Sequence, residues 1–528
     1  MGFQSFRSLL LQFFLFSSFL SFAFASTPGE FLQCLSENVD TSIADIIYTP
    51  NNSSFTSVLN FNTQNLRFAT PTTPKPKFII TPLKASHIQA AVICSKKHGF
   101  QLRVRSGGHD YNGLSYVSKW PFVMIDLINF QDVDVDVKHN TAWVQAGAHV
   151  GKVHYKIAEQ SNTHGFPSSI CTTVGVGGLI GGGGIGFLWR KYGLSADNIL
   201  DAYIVNVNGI LLNRKSMGED LFWAIRGGGA ASFGVIVAWK VQLVPVAPIV
   251  TFFRVPKTIE EGSLSLLHKW QKTAHYFPKD IHMLTISRVA QGEKGRTVQT
   301  FFEAVFQGRS KDLLALMDKR FPELGLKAED CIETTWVNST MLTFNLNGPL
   351  EVLLNRTLPT KTYWKGGSDF VKKAISISDL KRIWKVMLEL GDEYMSGMIV
   401  TEPMGGRISE ISETATPFPH RQGNLYMIQY NLNWLNASDS PRYLAAARRL
   451  YDFMTPFVSK SPRSSYFNYR DLDLGANTDV NSSYEEARVW GEAYFQGNFP
   501  RLTHVKSKVD PDNYFWSEQS IPPFASLS

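Results

Sequence analysis

Three stretches of the 528-residue chain combine residue types and spacings that could do chemistry. In Arg105-Ser106-Gly107-Gly108-His109-Asp110, two glycines precede a histidine. Adjacent glycines let successive backbone N–H groups converge, and such a concavity suits a pyrophosphate. Alone, a Gly-Gly-His reads more readily as a tight turn with a satisfied histidine. The second stretch runs from Cys171-Thr172-Thr173-Val174-Gly175-Val176-Gly177-Gly178 into a glycine run. Eight of the twelve residues 175–186 are glycine. A packed helix or strand gains nothing from so much backbone freedom, so the run suits backbone lying against something flat and large. The third is Asp220-Leu221-Phe222-Trp223-Ala224-Ile225-Arg226-Gly227-Gly228-Gly229, read as a glycine cluster at a strand edge. No Gly-Lys-Ser/Thr follows any of them, and no G-x-G-x-x-G opens a helix in a short βαβ unit. Phosphate loops of the Walker type and the usual wound dinucleotide fold are therefore not indicated.

The elements that must hold these stretches show in the hydrophobic periodicity. Phe78-Ile79-Ile80 is a short apolar strand, residues 85–98 have helical spacing, and Leu102-Arg103-Val104-Arg105 alternates. Residues 123–127, 142–146 and 235–244 read as further strands, and 150–160 as a helix. Strand–helix–strand order predicts an α/β or α+β domain. Near Pro245–Pro248 glycine becomes rarer, and strands alternate with long amphipathic helices expected at 369–394 and 441–457. After Tyr466 aromatic and polar residues dominate with little periodicity.

Lys+Arg total 52 against 45 Asp+Glu, a net charge of +7, with 44% hydrophobic and 18% charged residues. This globular balance excludes disorder, collagen and coiled coil as the whole chain. No Lys/Arg block occurs, which argues against a nucleic-acid partner. Arg7 precedes an apolar run at residues 9–24 that ends in Ala23-Phe24-Ala25. The run is shorter than the about 20 residues a membrane span needs, so a signal peptide cut before Ser26 is expected, with no stable membrane association. Six N-x-S/T sequons, at Asn51, Asn52, Asn338, Asn355, Asn436 and Asn481, agree with an exported glycoprotein. The four cysteines form neither a disulfide scaffold nor a zinc spacing; one bridge is expected, with Cys34–Cys94 the first choice.

At these segments the chain resembles the FAD-linked oxidases of the berberine bridge enzyme-like family of plants, which share the vanillyl-alcohol-oxidase type of fold. The resemblance rests on residues 105–116, 171–197 and 220–234. It is completed by Asn468-Tyr469-Arg470-Asp471-Leu472-Asp473, Tyr494-Phe495-Gln496-Gly497-Asn498-Phe499 and Val509-Asp510-Pro511. It implies an α+β chain: a signal peptide (1–25), a helical lead-in (26–76), an FAD-binding domain (77–248), a substrate domain with an antiparallel sheet under helices (249–464), and a C-terminal segment (465–528) returning to the FAD domain. It implies FAD held twice covalently, by His109 and by Cys171, with Arg105, Ser106, Gly107, Gly108, Asp110, Gly175, Gly177, Gly178 and Asn468 around it. Hydride would pass from a small-molecule substrate to flavin N5, and O2 would return the flavin to its oxidised form with release of H2O2. Val174 resembles the small gatekeeper of the oxidase members. Monomer is the family default, and the secretory pathway would end in apoplast, vacuole or vesicle.

Oxidising an alcohol or phenol also needs a base. Tyr469 and Tyr111 match family active-site positions, and a tyrosine, with an ordinary pKa of about 10, needs a neighbouring charge to act near neutrality. Gln429 stands where some relatives carry a catalytic Glu; an amide can only fix the substrate by hydrogen bonds. Ile185 and Met427 replace the Tyr and Lys of the members that oxidise allylic alcohols. A greasier pocket for a prenylated phenolic or an alkaloid is expected, with oxidative ring closure one outcome. A non-redox cyclase of Diels–Alder type on the same fold is the alternative, followed by a monolignol or oligosaccharide oxidase. The four histidines His139, His149, His154 and His164 read as structural.

Overall fold

The computed structural model describes residues 28–39, 42, 44–358, 360–390 and 397–524. The signal peptide expected at 1–25 lies outside the described residues. Two sheets build the first part of the chain. Strands Phe78–Ile80, Phe122–Asp126 and Gln101–Arg105 pair in parallel, and Ile47–Tyr48 adds antiparallel to the first. Helix Ala85–Lys97 carries the chain from Phe78–Ile80 to Gln101–Arg105, the parallel strand two places away, and its Ile88, Ala91 and Val92 pack onto the sheet. The second sheet has five antiparallel strands in the order 133–136, 141–145, 235–242, 199–205, 211–212. Cys34 and Cys94 form a disulfide that ties helix Pro28–Glu37 to helix Ala85–Lys97.

The second part is one seven-stranded antiparallel sheet, in the order 331–334, 250–258, 295–306, 281–292, 397–403, 426–434, 363–371. Helices Ser263–Thr273, Ser310–Arg320, Ile377–Leu390 and Ser440–Met454 cover one face. Side chains alternate across a strand, so Phe253, Met283, Phe302, Ala304, Ile428 and Leu432 enter the core under those helices. Their neighbours Arg254, Leu284, Glu303, Gln429 and Asn431 face the opposite way, into a cavity. The α+β fold expected from the sequence is the one observed.

Several local expectations are corrected. Residues 369–371, expected to open a helix, instead end strand Tyr363–Val371, which completes the sheet edge beside 426–434, and the helix begins only at Ile377. The lead-in is not wholly helical, since Ile47–Tyr48 extends the first sheet. The third glycine cluster follows a helix, Arg214–Ile225, rather than a strand. Within the glycine run Val176–Gly181 is helical after all. It packs so closely that a Cβ on Gly177 would lie 2.8 Å from the Ala146 carbonyl oxygen. All six sequon asparagines are exposed.

Candidate active site

A cavity of about 830 Å3 lies between the glycine-rich loops and the open face of the seven-stranded sheet. Ser106, Gly107, Gly108, His109, Asp110, Tyr111, Cys171, Val174, Gly175, Gly177, Gly178, Gln429, Asn468 and Tyr469 all line it. The exception is Arg105. Its guanidinium is fully buried behind the wall, 2.7 Å from Asp126 and donating to the Leu59 and Val58 carbonyls. Arg105 therefore braces the loop that carries His109, and its side chain does not reach the cavity.

The loops meet backbone to backbone. A Cβ on Gly107 would lie 2.3 Å from Gly175 N, and one on Gly175 would lie 2.1 Å from Ser106 Oγ. Gly108 has φ +70°, and a Cβ there would run into the Asn62 carbonyl at 1.6 Å, so only glycine serves. The N–H groups of Gly107, Gly108 and His109 donate to no described residue. Ser106 Oγ donates to Ala146 O at 2.6 Å, and Asp110 Oδ1 accepts from Asn112 N and Leu114 N, which fixes the turn. Arg470 approaches Asp110 at 3.7 Å from the C-terminal segment. Asn468 Nδ2 donates to Leu179 O and to Tyr466 Oη, both at 2.9 Å, and so clamps the glycine-rich helix.

His109 and Cys171 converge on Thr173. His109 Nε2 lies 2.9 Å from Thr173 Oγ1, and Cys171 Sγ lies 3.4 Å from the same oxygen. Burial lowers the His109 pKa to about 4, so the ring is neutral and keeps a lone pair. Burial pushes the Cys171 thiol up. Two nucleophilic side chains on one wall, beside unpaired N–H groups and a glycine floor, fit a flavin dinucleotide.

Opposite them, Gln429 Nε2 donates to Tyr111 Oη at 2.6 Å. Tyr111 and Tyr469 stack with ring centroids 5.4 Å apart, and Tyr111 and Trp364 meet at right angles with centroids 4.4 Å apart. Burial pushes both tyrosines well above 10, and the nearby Glu402 pushes Tyr469 further. A tyrosine so raised acts as a base only with a positive charge beside it.

Ile185 lines the cavity, and Met427 packs behind it in one apolar cluster with Trp189, Phe370, Phe418 and Tyr466. The cavity is not uniformly apolar, however. Arg254, Glu303, Arg288 and Glu402 also line it. Arg254 pairs with Glu303, whose carboxyl burial raises to about 7. Sequence reading missed these four; the signal was a charge on the cavity-facing register of strands Val250–Thr258, Ile281–Gly292, Gly295–Phe306 and Gly397–Pro403. The histidines read as structural stay so: His149 meets Leu353 O, His154 meets Ser168 Oγ, His164 meets Asn140, and His139 meets Asp136 at the surface.

Fold and site together define an FAD-linked oxidoreductase. Residues 76–214 match the FAD binding domain family, and residues 465–522 match the family described as berberine and berberine like. The chain is 50% identical to a tetrahydroberberine oxidase of Berberis wilsoniae, over 98% of this chain and 99% of that one. It is 49% identical to a tetrahydroberberine oxidase of Argemone mexicana, over 98% and 96%. The crystal structure of the Bermuda grass isoallergen BG60 superposes with a TM-score of 0.89 at 46% identity, covering 94% of this chain and 100% of that one. The grass pollen allergen Phl p 4, a glucose dehydrogenase, superposes equally well at 43% identity over 94% and 100%, and its isoleucine-to-valine variant is a glucose oxidase. The chain belongs to the berberine bridge enzyme-like family.

Proposed function

We propose that this chain is an O2-dependent oxidase of a hydrophobic specialised metabolite, an alkaloid in first place and a prenylated phenolic in second. The observation that carries the reading is the meeting of His109, Cys171, Tyr111, Gln429 and Tyr469 around one cavity. FAD, when held by His109 and Cys171, would supply the two-electron acceptor. The protein's own part is positioning. Gln429 fixes the Tyr111 hydroxyl, which leaves the phenolic proton free to be donated to a substrate oxygen or nitrogen. The stack on Tyr111 holds Tyr469 over the same space. Ile185 on the cavity wall, backed by Met427, stands in place of the polar pair of the allylic-alcohol oxidases.

Val174 stands on the cavity wall and leaves room for O2. That one aliphatic exchange separates dehydrogenase from oxidase in Phl p 4 supports giving Val174 this role. The substrate class draws support from the two tetrahydroberberine oxidases. Export through the secretory pathway as a glycosylated monomer completes the proposal, supported by six exposed sequon asparagines.

The test is anaerobic mixing of the yellow protein with monolignols, prenylated phenols, benzylisoquinolines and cello-oligosaccharides. Bleaching by the alkaloid or prenylated panel, reversed by O2 with release of H2O2, is expected. Colour retained against every donor, with joined products of unchanged mass, would identify a non-redox cyclase instead.

A further inference from the structure

The cavity-facing register of the large sheet sets two carboxylates in one lateral row. Leu284 pairs with Glu303 on one side, and Thr285 pairs with Thr401 on the other, which puts Glu402 across from Leu284. Glu303 and Glu402 are thus two strands apart, roughly 10 Å at about 4.8 Å per strand. Their surroundings differ. Arg254 pairs with Glu303 and also donates to Asn345 Oδ1 and to the Leu342 and Thr343 carbonyls. Glu303 is neutralised where it stands.

Glu402 has a different partner. Its Oε2 accepts from His282 Nε2 at 2.9 Å. His282 Nδ1 in turn accepts from Trp189 Nε1 at 3.1 Å. An indole N–H can only donate, so Nδ1 carries the lone pair and the imidazole proton sits on Nε2. Burial lowers the His282 pKa, which keeps the ring neutral. The relay aims and holds the carboxylate without cancelling its charge. Among the described residues no Lys or Arg lies within ion-pair distance of Glu402. The residue is only 2% exposed and lines the cavity. Arg288 belongs to the exposed end of the same face, stacked on Phe301 at 4.8 Å.

A buried carboxylate without a counter-charge is costly to desolvate, and a cation brought by the ligand offsets that cost. Val400 pairs with Gln429, so Glu402 is also the diagonal neighbour of the amide that holds Tyr111. We propose that Glu402, aimed by His282 and Trp189, is the specificity-determining anion that selects a substrate carrying a cationic amine nitrogen over a neutral isostere. This deepens the substrate class of the proposed oxidase and rests on that reading only for the redox chemistry after binding.

The test uses binding to the flavin-loaded protein, read by calorimetry and by perturbation of the flavin band. The probes are a 1-benzyl-2,2-dimethyltetrahydroisoquinolinium salt, whose charge is permanent, and its neutral isostere 1-benzyl-2,2-dimethyltetralin. Wild type should prefer the salt by at least about tenfold. Glu402→Gln should lose at least about tenfold for the salt and nothing for the isostere, while Glu402→Asp should regain part of the preference. Equal affinities in wild type, no binding of the salt, or equal losses for both probes in Glu402→Gln would overturn the proposal. Flavin content of each variant reports folding. If charge selection by Glu402 holds and no donor bleaches the flavin, the amine site stands and the oxidase reading falls.

Discussion

Tyr111 and Tyr469 lie face to face, ring centroids 5.4 Å apart and planes 20° from parallel, though 358 residues separate them in the chain. The stack joins the loop behind His109 to the C-terminal segment. It makes the two hydroxyls unequal, because Gln429 donates to Tyr111 alone of the pair.

That inequality predicts different kinetic losses. Tyr469→Phe should lower kcat by about 10²–10⁴-fold, the range for a lost proton-transfer group, with little change in KM. Tyr111→Phe leaves the Gln429 amide unpaired and should act mainly on KM. Steady-state kinetics on the bleaching substrate distinguish the two; equal effects on both parameters in both variants would remove the assignment.

His109 and Cys171 predict how the flavin comes away. After acid precipitation the wild type should retain its yellow colour in the pellet. His109→Ala and Cys171→Ala should each retain it through the remaining bond, and the double variant should release FAD to the supernatant. Fluorescence of denatured protein bands reads the result.

Val174→Ile narrows the cavity wall at the point assigned to O2. Anaerobic reduction should proceed at the wild-type rate, while reoxidation by O2 should slow at least about tenfold. Stopped-flow traces of the two half-reactions separate this from a general loss of activity.

Buried histidines predict acid sensitivity. Burial lowers His149 and His154 from 6.5 to about 4 and His420 to about 3. These rings stay neutral in the folded chain, while the unfolded chain takes up their protons near pH 6.5. Their contribution to stability is complete above pH 6.5 and is lost as pH falls toward 4. The thermal midpoint should drop over that window. His154→Gln should lower proton uptake on unfolding by about one, measured by calorimetry in buffers of different ionisation enthalpy.

The local motifs were legible because their chemistry is written in consecutive residues. Gly107, Gly108 and His109, or Cys171 and Gly175, need no knowledge of register to be recognised. Arg105 misled for the same reason: it is adjacent in sequence to the cofactor loop, but its strand turns the side chain to Asp126. Glu303 and Glu402 were illegible because they enter one row only through the pairing of strands about 100 residues apart. Asp369 was read as helix because residues 369–394 are amphipathic at nearly helical spacing. Its place in the edge strand is secured by Arg463, 94 residues downstream, which bonds its carboxylate through Nε and Nη2.

The C-terminal segment supplies Asn468, Tyr469 and Arg470 to the cavity, and then Phe515, Trp516 and Ser517 to its far wall. These residues leave the ribosome after the rest of the cavity lining, at roughly 5–20 residues per second. Most of the chain can therefore emerge and fold before the chamber has all its walls. A chain stopped before Asn468 should therefore lack these walls and fail to retain flavin.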